Sequence, residues 1–334
     1  MDLSIIIVNY NSLDFLQKCI GSVIKYLNPP YTKVNLEFEI IIVDNASTDE
    51  SAVFIKENFI KDKVSFIKLI ESKENSGFSK ASNMGAAAAA GDFLLFLNPD
   101  TEFLQGGFDS MIAFYKEKSK TEKIGAIGAK ILNQDGTIQF SCRSFPTLSR
   151  QFYESCFLSK VFAGSKVFGS YFMTFWDHEE IRKVDWLSGA FLFIKKQIFF
   201  SAGCFNEKYF IYSEDIDICF KLARAGYCNY YFNSCTVKHI DGGIARRDMA
   251  LREAQIWKSR KIYFTENYSK AHGTAESLLY FTYVINRLVI SAVMYAFNPR
   301  RKSRDVFRSR AAAYKKTLVM TAERVFGVYI VLNG

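Results

Sequence analysis

Glu74-Asn75-Ser76-Gly77-Phe78-Ser79-Lys80-Ala81-Ser82-Asn83-Met84-Gly85 leads, within a dozen residues, into Phe93-Leu94-Leu95-Phe96-Leu97-Asn98-Pro99-Asp100. Gly77, Ala81 and Gly85 recur every four residues. On a helix they share one face, where a backbone or a ligand can approach closely. Residues 92–97 read as a strand, apolar throughout after Asp92, the pattern of a strand covered on both sides. Pro99 cannot donate to a ladder and stops the strand. Asp100 is thereby delivered to the carboxyl end of a central strand, where open α/β sheets hold their ligands.

Working outward, the same arrangement recurs. Residues 4–8 read as a buried strand ending at Asn9-Tyr10-Asn11, and residues 38–43 as another ending at Asp44-Asn45-Ala46-Ser47-Thr48-Asp49. Residues 64–70 read as a third strand that enters the Asn75 turn. Helix-period segments lie between them at about 13–26 and 49–61, with Ser12 and Thr48 or Asp49 as expected N-caps. Alternating strands and helices predict an α/β fold with a mostly parallel sheet. Polar residues gather at the strand exits, as in a binding crevice.

The chain resembles the family 2 inverting glycosyltransferases of the GT-A nucleotide-sugar-binding fold. The resemblance rests on Ile6-Ile7-Val8-Asn9-Tyr10-Asn11, Ile42-Val43-Asp44-Asn45-Ala46-Ser47, Asn75-x-Gly77-Phe78-x-x-Ala81-x-Asn83-x-Gly85 and Leu97-Asn98-Pro99-Asp100-Thr101. Trp186-Leu187-Ser188-Gly189-Ala190, Glu214-Asp215-Ile216-Asp217 and Val237-Lys238-His239 follow in order. Among such enzymes the Asn-Pro-Asp and Trp-Leu-Ser-Gly-Ala forms look most like bacterial rhamnosyltransferases of surface polysaccharides. The implied division is a nucleotide-sugar half at 1–130, an acceptor and catalytic half at 131–248, and a C-terminal helical appendage at 249–334.

The resemblance implies a role for each matching residue. Asn9, Tyr10, Asn11, Asp44, Asn75, Gly77, Asn83 and Asp100 would bind the nucleotide sugar. A carboxylate such as Asp44 accepts a hydrogen bond from a base N–H. Uracil and thymine share that group, so Asp44 leaves UDP- and dTDP-sugars open; an Asx turn closing the strand is its plain structural reading. Asp100, a hard oxygen ligand, would hold Mg²⁺ or Mn²⁺ with His239 as second ligand. The usual Asp-x-Asp is Asn98-x-Asp100 here, which lowers the charge of the site. Capping a following helix is the alternative for Asp100. Asp215 would be the general base that deprotonates the acceptor hydroxyl, with Glu214 orienting base or acceptor. Asp217 reads as a structural partner, and Lys221 stands where the family usually has Arg. Trp186 and Gly189 would receive the acceptor, the indole as a platform for a sugar ring; a buried core Trp is the alternative. Residues 131–184, aromatic without a clean period, read as an acceptor-side insertion or flap.

Composition narrows the classes. An apolar fraction of 49% and few prolines mark a folded chain. Seven scattered cysteines without a Cys-x-x-Cys pair suggest neither a disulfide framework nor a zinc site. The apolar strand near the start leaves no length for a leader, pointing to the cytoplasm. Residues 278–297 are nearly all apolar, with Asn286-Arg287 at their centre and basic residues on both flanks. A mid-span Arg is costly, and two basic flanks oppose a single crossing. Peripheral docking on the inner face of the cell membrane is expected instead, with a true span or packing in a homo-oligomer as alternatives. No nucleic-acid motif accompanies the net charge of +9. An NAD-dependent oxidoreductase would need Gly-x-Gly-x-x-Gly after the first strand, where this chain has Asn9-Tyr10-Asn11-Ser12-Leu13. The expectation is an inverting, metal-assisted transfer from dTDP-rhamnose to a glycan or lipid-linked oligosaccharide hydroxyl. A UDP-sugar donor is the nearer alternative and a non-catalytic membrane-associated binding module the more distant.

Overall fold

The apolar runs at the head of the chain become strands β1 (Leu3–Asn9), β2 (Phe38–Asp44), β3 (Ile67–Glu71) and β4 (Phe93–Leu97). This computed structural model describes residues 1–32, 36–61, 64–240, 248–297 and 300–326. After β4 come β5 (Thr101–Gln105), β6 (Ile124–Leu132), β7 (Cys142–Arg143), β8 (Arg182–Val184), β9 (Trp186–Leu187), β10 (Phe191–Lys195) and β11 (Cys228–His239). The main sheet has the order β3-β2-β1-β4-β10-β6-β11-β5, with β8 also on β11. Strands β3, β2, β1, β4, β6 and β11 run one way; β10, β5 and β8 run against them. Every residue of β1 and β4 is buried, as their largely apolar character requires when both faces are covered; the two polar residues of β1, Ser4 and Asn9, hydrogen-bond to Glu39 and Asp44 of β2. The pairing Val8↔Val43 and Asn9↔Asp44 brings the polar exits of β1 and β2 level.

Helices α1 (Leu13–Leu27), α2 (Ser51–Ile55) and α3 (Phe78–Ala88) connect the first strands. The second helix departs from the expected start and form. Asp49 turns its carboxylate onto the Ser51 N–H at 3.0 Å and the Leu13 N–H at 3.3 Å, so helix begins only at Ser51. Its continuation, Lys56–Ile60, is a π-helical turn. Ser12 occupies the α1 N-cap position, but its hydroxyl donates to Asn9 Oδ1 at 2.6 Å instead of capping a helical N–H. Asp100 precedes strand β5, which removes the helix-capping alternative for it.

The chain divides into two compact units, Met1–Phe145 with Trp176–Ile244, and Pro146–Phe175 with Ala245–Gly334. Residues 131–184, expected as one insertion, are therefore shared between them. The first unit adds α4 (Phe108–Lys118). The second holds α5 (Leu148–Ser155) and α6 (Leu158–Val161); α7 (Lys196–Ser201) and α8 (Glu214–Arg224) return to the first. Helices α9 (Met249–Asn267), α10 (Lys270–Phe297) and α11 (Arg301–Phe326) complete the second unit. Trp257, Tyr280 and Val284 form its buried cluster, against which Ile256, Tyr283, Tyr314 and Leu318 pack. Among the described residues, α10 is one helix long and apolar enough to cross a membrane. Its central polar pair is engaged within the unit: Asn286 donates to the Ser155 carbonyl at 2.8 Å, and the Arg287 guanidinium lies 3.5 Å from the centre of the Tyr283 ring. Leu278, Val289, Val293 and Phe297 are exposed on the same helix.

Candidate active site

The exits of β1 and β2 are locked together by side chains. Asn9 Nδ2 donates to Asp44 Oδ1 at 2.8 Å and to Ser47 Oγ at 3.0 Å, and the Ser47 N–H donates to Asp44 Oδ2 at 3.1 Å. The Asx turn at Asp44 is thus present, and the carboxylate is fixed in orientation. Each of its oxygens accepts one of these bonds and has a further lone pair. Asn11, at φ 51°, accepts from the Thr48 N–H at 2.7 Å and the Asp49 N–H at 3.2 Å. An Asn tolerates that left-handed conformation better than most residues. Tyr10 is half-buried beside them.

Two residues expected at the nucleotide, Asn9 and Asn83, have their amide hydrogens engaged within the protein. Both amide hydrogens of Asn9 are taken within the loop. Asn83 Nδ2 donates to the Phe205 carbonyl at 2.9 Å and Glu207 Oε1 at 3.1 Å, while its Oδ1 accepts from the Phe205 N–H at 3.1 Å. With every amide hydrogen committed, Asn83 clamps α3 to the segment before α8 and has none to offer a ligand. Asn75 accepts from the Gly77 N–H at 3.1 Å and from Asn45 Nδ2 at 2.9 Å. Gly77 has φ 85°, and its neighbour Phe78 donates its N–H to the Phe210 carbonyl at 2.6 Å.

Asp100 and His239 meet, although far apart in sequence, because His239 ends β11 opposite Thr101 of β5. His239 Nε2 lies 3.1 Å from Asp100 Oδ1 and 3.2 Å from Asn98 Nδ2. Its Nδ1 lies 2.8 Å from Gln139 Oε1. Among the described residues there is no cluster of three or more His, Cys, Asp or Glu placed to hold a metal. One carboxylate and one imidazole still suit Mg²⁺ or Mn²⁺, since these ions keep several positions for water and substrate phosphate. A carboxylate oxygen and a ring nitrogen are ligands of the kind such an ion takes.

The pair Glu214-Asp215 opens α8, whose first turn also contains Asp217; carboxylates there are favoured by the helix dipole. The approach is strained: Tyr212 at φ 69° and Ser213 at φ 68° are consecutive non-glycine residues in the left-handed region. Such conformations cost about 1–3 kcal/mol each and persist where the surroundings over-determine them. The environments of the two acids differ. Glu214 is buried and its Oε2 has no hydrogen-bond partner, so burial, then the charge of Asp215, pushes its carboxyl well up. Asp215 is also raised by burial, but the Gly189 N–H at 2.9 Å, the Ile216 N–H at 2.8 Å and the nearby Arg143 charge oppose the rise. Of the two, Glu214 is held up the more strongly, and Asp215 is the one whose charged form is supported by hydrogen bonds. Asp217 is paired with Lys221 at 2.8 Å and accepts from the Tyr209 hydroxyl at 3.3 Å, a structural position.

The turn Ser188–Ala190 joins the two chemistries. Gly189 donates to Asp215, while the next carbonyl, of Ala190, accepts from the Asn98 N–H at 3.2 Å and the Thr101 hydroxyl at 3.4 Å. Asp215 and the residues flanking Asp100 are therefore held by successive residues of one turn. Trp186 does not form the expected acceptor platform. It is 4% exposed, its indole N–H donates to the Ser144 carbonyl at 3.0 Å, and the Arg143 guanidinium covers the ring at 5.0 Å. An indole so enclosed packs β9 and offers no open face.

Two residues escaped the sequence reading: Gln139, on the His239 ring, and Arg143, between Trp186 and the charge of Asp215. The Asp135-Gly136 turn signal after the apolar end of β6 could have marked a hairpin returning through Gln139.

A mostly parallel sheet with an acid and an imidazole at its strand ends, and an acidic helix start beside them, defines a glycosyltransferase of the GT-A type. The chain belongs to glycosyl transferase family 2, whose profile matches residues 4–177. It is 28% identical over 241 residues to the N-acetylglucosaminyl-diphospho-decaprenol L-rhamnosyltransferase of Mycobacterium tuberculosis, covering 69% of this chain and 75% of that protein. To the low-salt glycan biosynthesis hexosyltransferase Agl10 of Haloferax volcanii it is 25% identical, over 67% of this chain and 62% of that protein. The fold is shared with the mannosyltransferase PcManGT of Pyrobaculum calidifontis, solved with GDP-Man and Mn²⁺, at a TM-score of 0.53 and 13% identity over 97% and 87% of the two chains.

Proposed function

We propose that this glycosyltransferase inverts the anomeric carbon of a nucleotide sugar, best dTDP-rhamnose, in transferring it to a hydroxyl of a lipid-linked glycan. The observation that carries the reading is the Ser188–Ala190 turn, which holds Asp215 on one side and the residues around Asp100 on the other. Asp44 and Tyr10 at the β1 and β2 exits receive the base, with Asn11 and Asn75 shaping the loops around it. Asp100 and His239 are the ligands for Mg²⁺ or Mn²⁺, which when bound would neutralise charge on the leaving diphosphate. Asp215, ionised and oriented by the Gly189 N–H, takes the proton of the acceptor hydroxyl as its oxygen attacks the sugar. Glu214, protonated beside it, keeps a second negative charge away from the base. Gly189, with no side chain between Asp215 and the turn, leaves room for the acceptor.

The rhamnosyl donor and the lipid-linked acceptor are supported by the mycobacterial relative's activity, and a UDP-sugar is the second donor to test. The exposed apolar residues of α10, with the basic residues Arg304, Arg308, Arg310, Lys315 and Lys316 exposed or half-buried on α11, favour docking at the anionic inner face of the cell membrane. The transfer is tested by turnover with dTDP-rhamnose and a panel of UDP- and GDP-sugars, on a lipid-diphosphate acceptor, with and without Mn²⁺. Asp215→Asn should lower kcat by about 10²–10⁴-fold, the usual contribution of a general base, while nucleotide still binds. Near-normal turnover by that variant would remove Asp215 from the role, and retention of the donor's anomeric configuration in the product would refute inversion.

A further inference from the structure

His239 lies against Asp100 through Nε2, so the position of the ring proton decides whether that nitrogen offers a lone pair. The hairpin that follows β6 fixes the answer. Gly136, at φ 83°, closes its turn with an N–H bond to the Asn133 carbonyl at 3.1 Å, and the returning chain puts the Gln139 N–H on the Ile131 carbonyl at 2.8 Å. The Asp135 carboxylate accepts, so the Thr137 hydroxyl donates to it at 2.6 Å and receives Asn133 Nδ2 at 2.9 Å. The Ile138 carbonyl, also an acceptor, takes the same amide at 3.3 Å. Two acceptors thus orient the Asn133 amide, and its Oδ1 must be the atom that accepts from Gln139 Nε2 at 3.1 Å. That leaves Gln139 Oε1 facing His239 Nδ1 at 2.8 Å. A carbonyl oxygen only accepts, so Gln139 draws a hydrogen onto Nδ1, and in a neutral ring that leaves Nε2 with its lone pair, in competition with Asp100 Oδ1, which draws the hydrogen the other way. Asn98 Nδ2, 3.2 Å from Nε2, agrees, because an amide hydrogen there needs an acceptor.

We propose that Gln139 is a positioning residue: through the relay Asp135–Thr137–Asn133–Gln139 it holds His239 in the Nδ1–H tautomer and presents the Nε2 lone pair to the divalent cation of the bound donor. The inference rests on the metal-assisted reading above and adds the group that orients the ligand. Partners of this kind typically change metal affinity by about 10–100-fold.

The chain has three histidines, so its imidazole ¹⁵N signals are few and a His239→Ala variant assigns the one of interest. At about pH 8.5, above the usual imidazole range, the ligand-free protein should show His239 as the Nδ1–H tautomer. Gln139→Leu should shift the ring toward Nε2–H, because Nδ1 loses its acceptor while Asp100 remains at Nε2. The same variant should weaken Mn²⁺ binding in the presence of dTDP or UDP, read by electron paramagnetic resonance, by about 10–100-fold. Gln139→Glu, which keeps the acceptor, should restore the tautomer. A wild-type ring in the Nε2–H form overturns the proposal without recourse to any variant, as does an unchanged tautomer in Gln139→Leu. Loss of Mn²⁺ binding in the wild type, with the Nδ1–H tautomer present and sensitive to Gln139, overturns the metal-assisted reading alone.

Discussion

Gly77→Ala should cost this protein stability and activity together. Gly77 adopts φ 85° and ψ 169°, a region effectively confined to glycine. A Cβ there would run into the backbone carbonyl oxygen of Phe210 and come within 2.8 Å of Phe210 Cδ2. The carbonyl cannot swing aside freely, since it accepts the Phe78 N–H that starts α3. The backbone strain is worth about 1–3 kcal/mol and the forced displacement about 1–3 kcal/mol more. At about 2–4 °C per kcal/mol for a domain of 150–250 residues, Tm should fall by roughly 5 °C or more. Because Phe210 leads into Tyr212, Ser213 and Asp215, displacement there also reaches the proposed base, and kcat should drop. Urea unfolding followed by fluorescence of the tryptophans, beside thermal melts and turnover, reads both effects. A variant within about 0.5 kcal/mol of the parent, the scatter of an ordinary surface substitution, would show that the close approach is not what selects glycine here.

Two further outcomes are expected. Burial raises Glu214 above an unfolded-chain glutamate, so as pH rises the unfolded state loses its proton first; the stability is full below about pH 4.3 and is lost as pH climbs through the folded-state value. Glu214→Gln removes that loss, so its Tm should exceed the parent's at neutral pH and converge on it near pH 4; a constant difference across this range would contradict the buried, proton-holding Glu214. Val289→Asp with Val293→Asp, both on exposed positions of α10, should reduce sedimentation with anionic vesicles by about tenfold or more, since mid-face charges oppose insertion. Unchanged sedimentation would exclude this helix as the docking face, and loss of a dimer in its place would make it an interface between copies.

The strands were legible because a fully covered parallel strand is apolar at nearly every position, as residues 4–8, 38–43 and 93–97 are apart from Ser4 and Glu39, which hydrogen-bond to each other. The second helix was read too early because Asp49 serves both as a turn and as a link to Leu13, a contact across sequence that local propensity does not contain. Trp186 looked like a platform because a motif names a residue and not its neighbours. For the same reason the motifs do not show that the amide hydrogens of Asn9 and Asn83 are engaged by Asp44, Ser47, Phe205 and Glu207.

By itself the sequence determined the class of fold, the family, and which acids stand at the ends of which strands, since these follow from local patterning and the order of short motifs. Only the tertiary structure decided what those side chains touch. It set Gln139 on His239, gave Glu214 and Asp215 different surroundings through burial and two backbone N–H groups, and joined Asp215 to the Asp100 strand exit through one turn. Hydrogen-bond partners and desolvation are properties of atoms brought together from distant positions, and no local pattern in the chain encodes them.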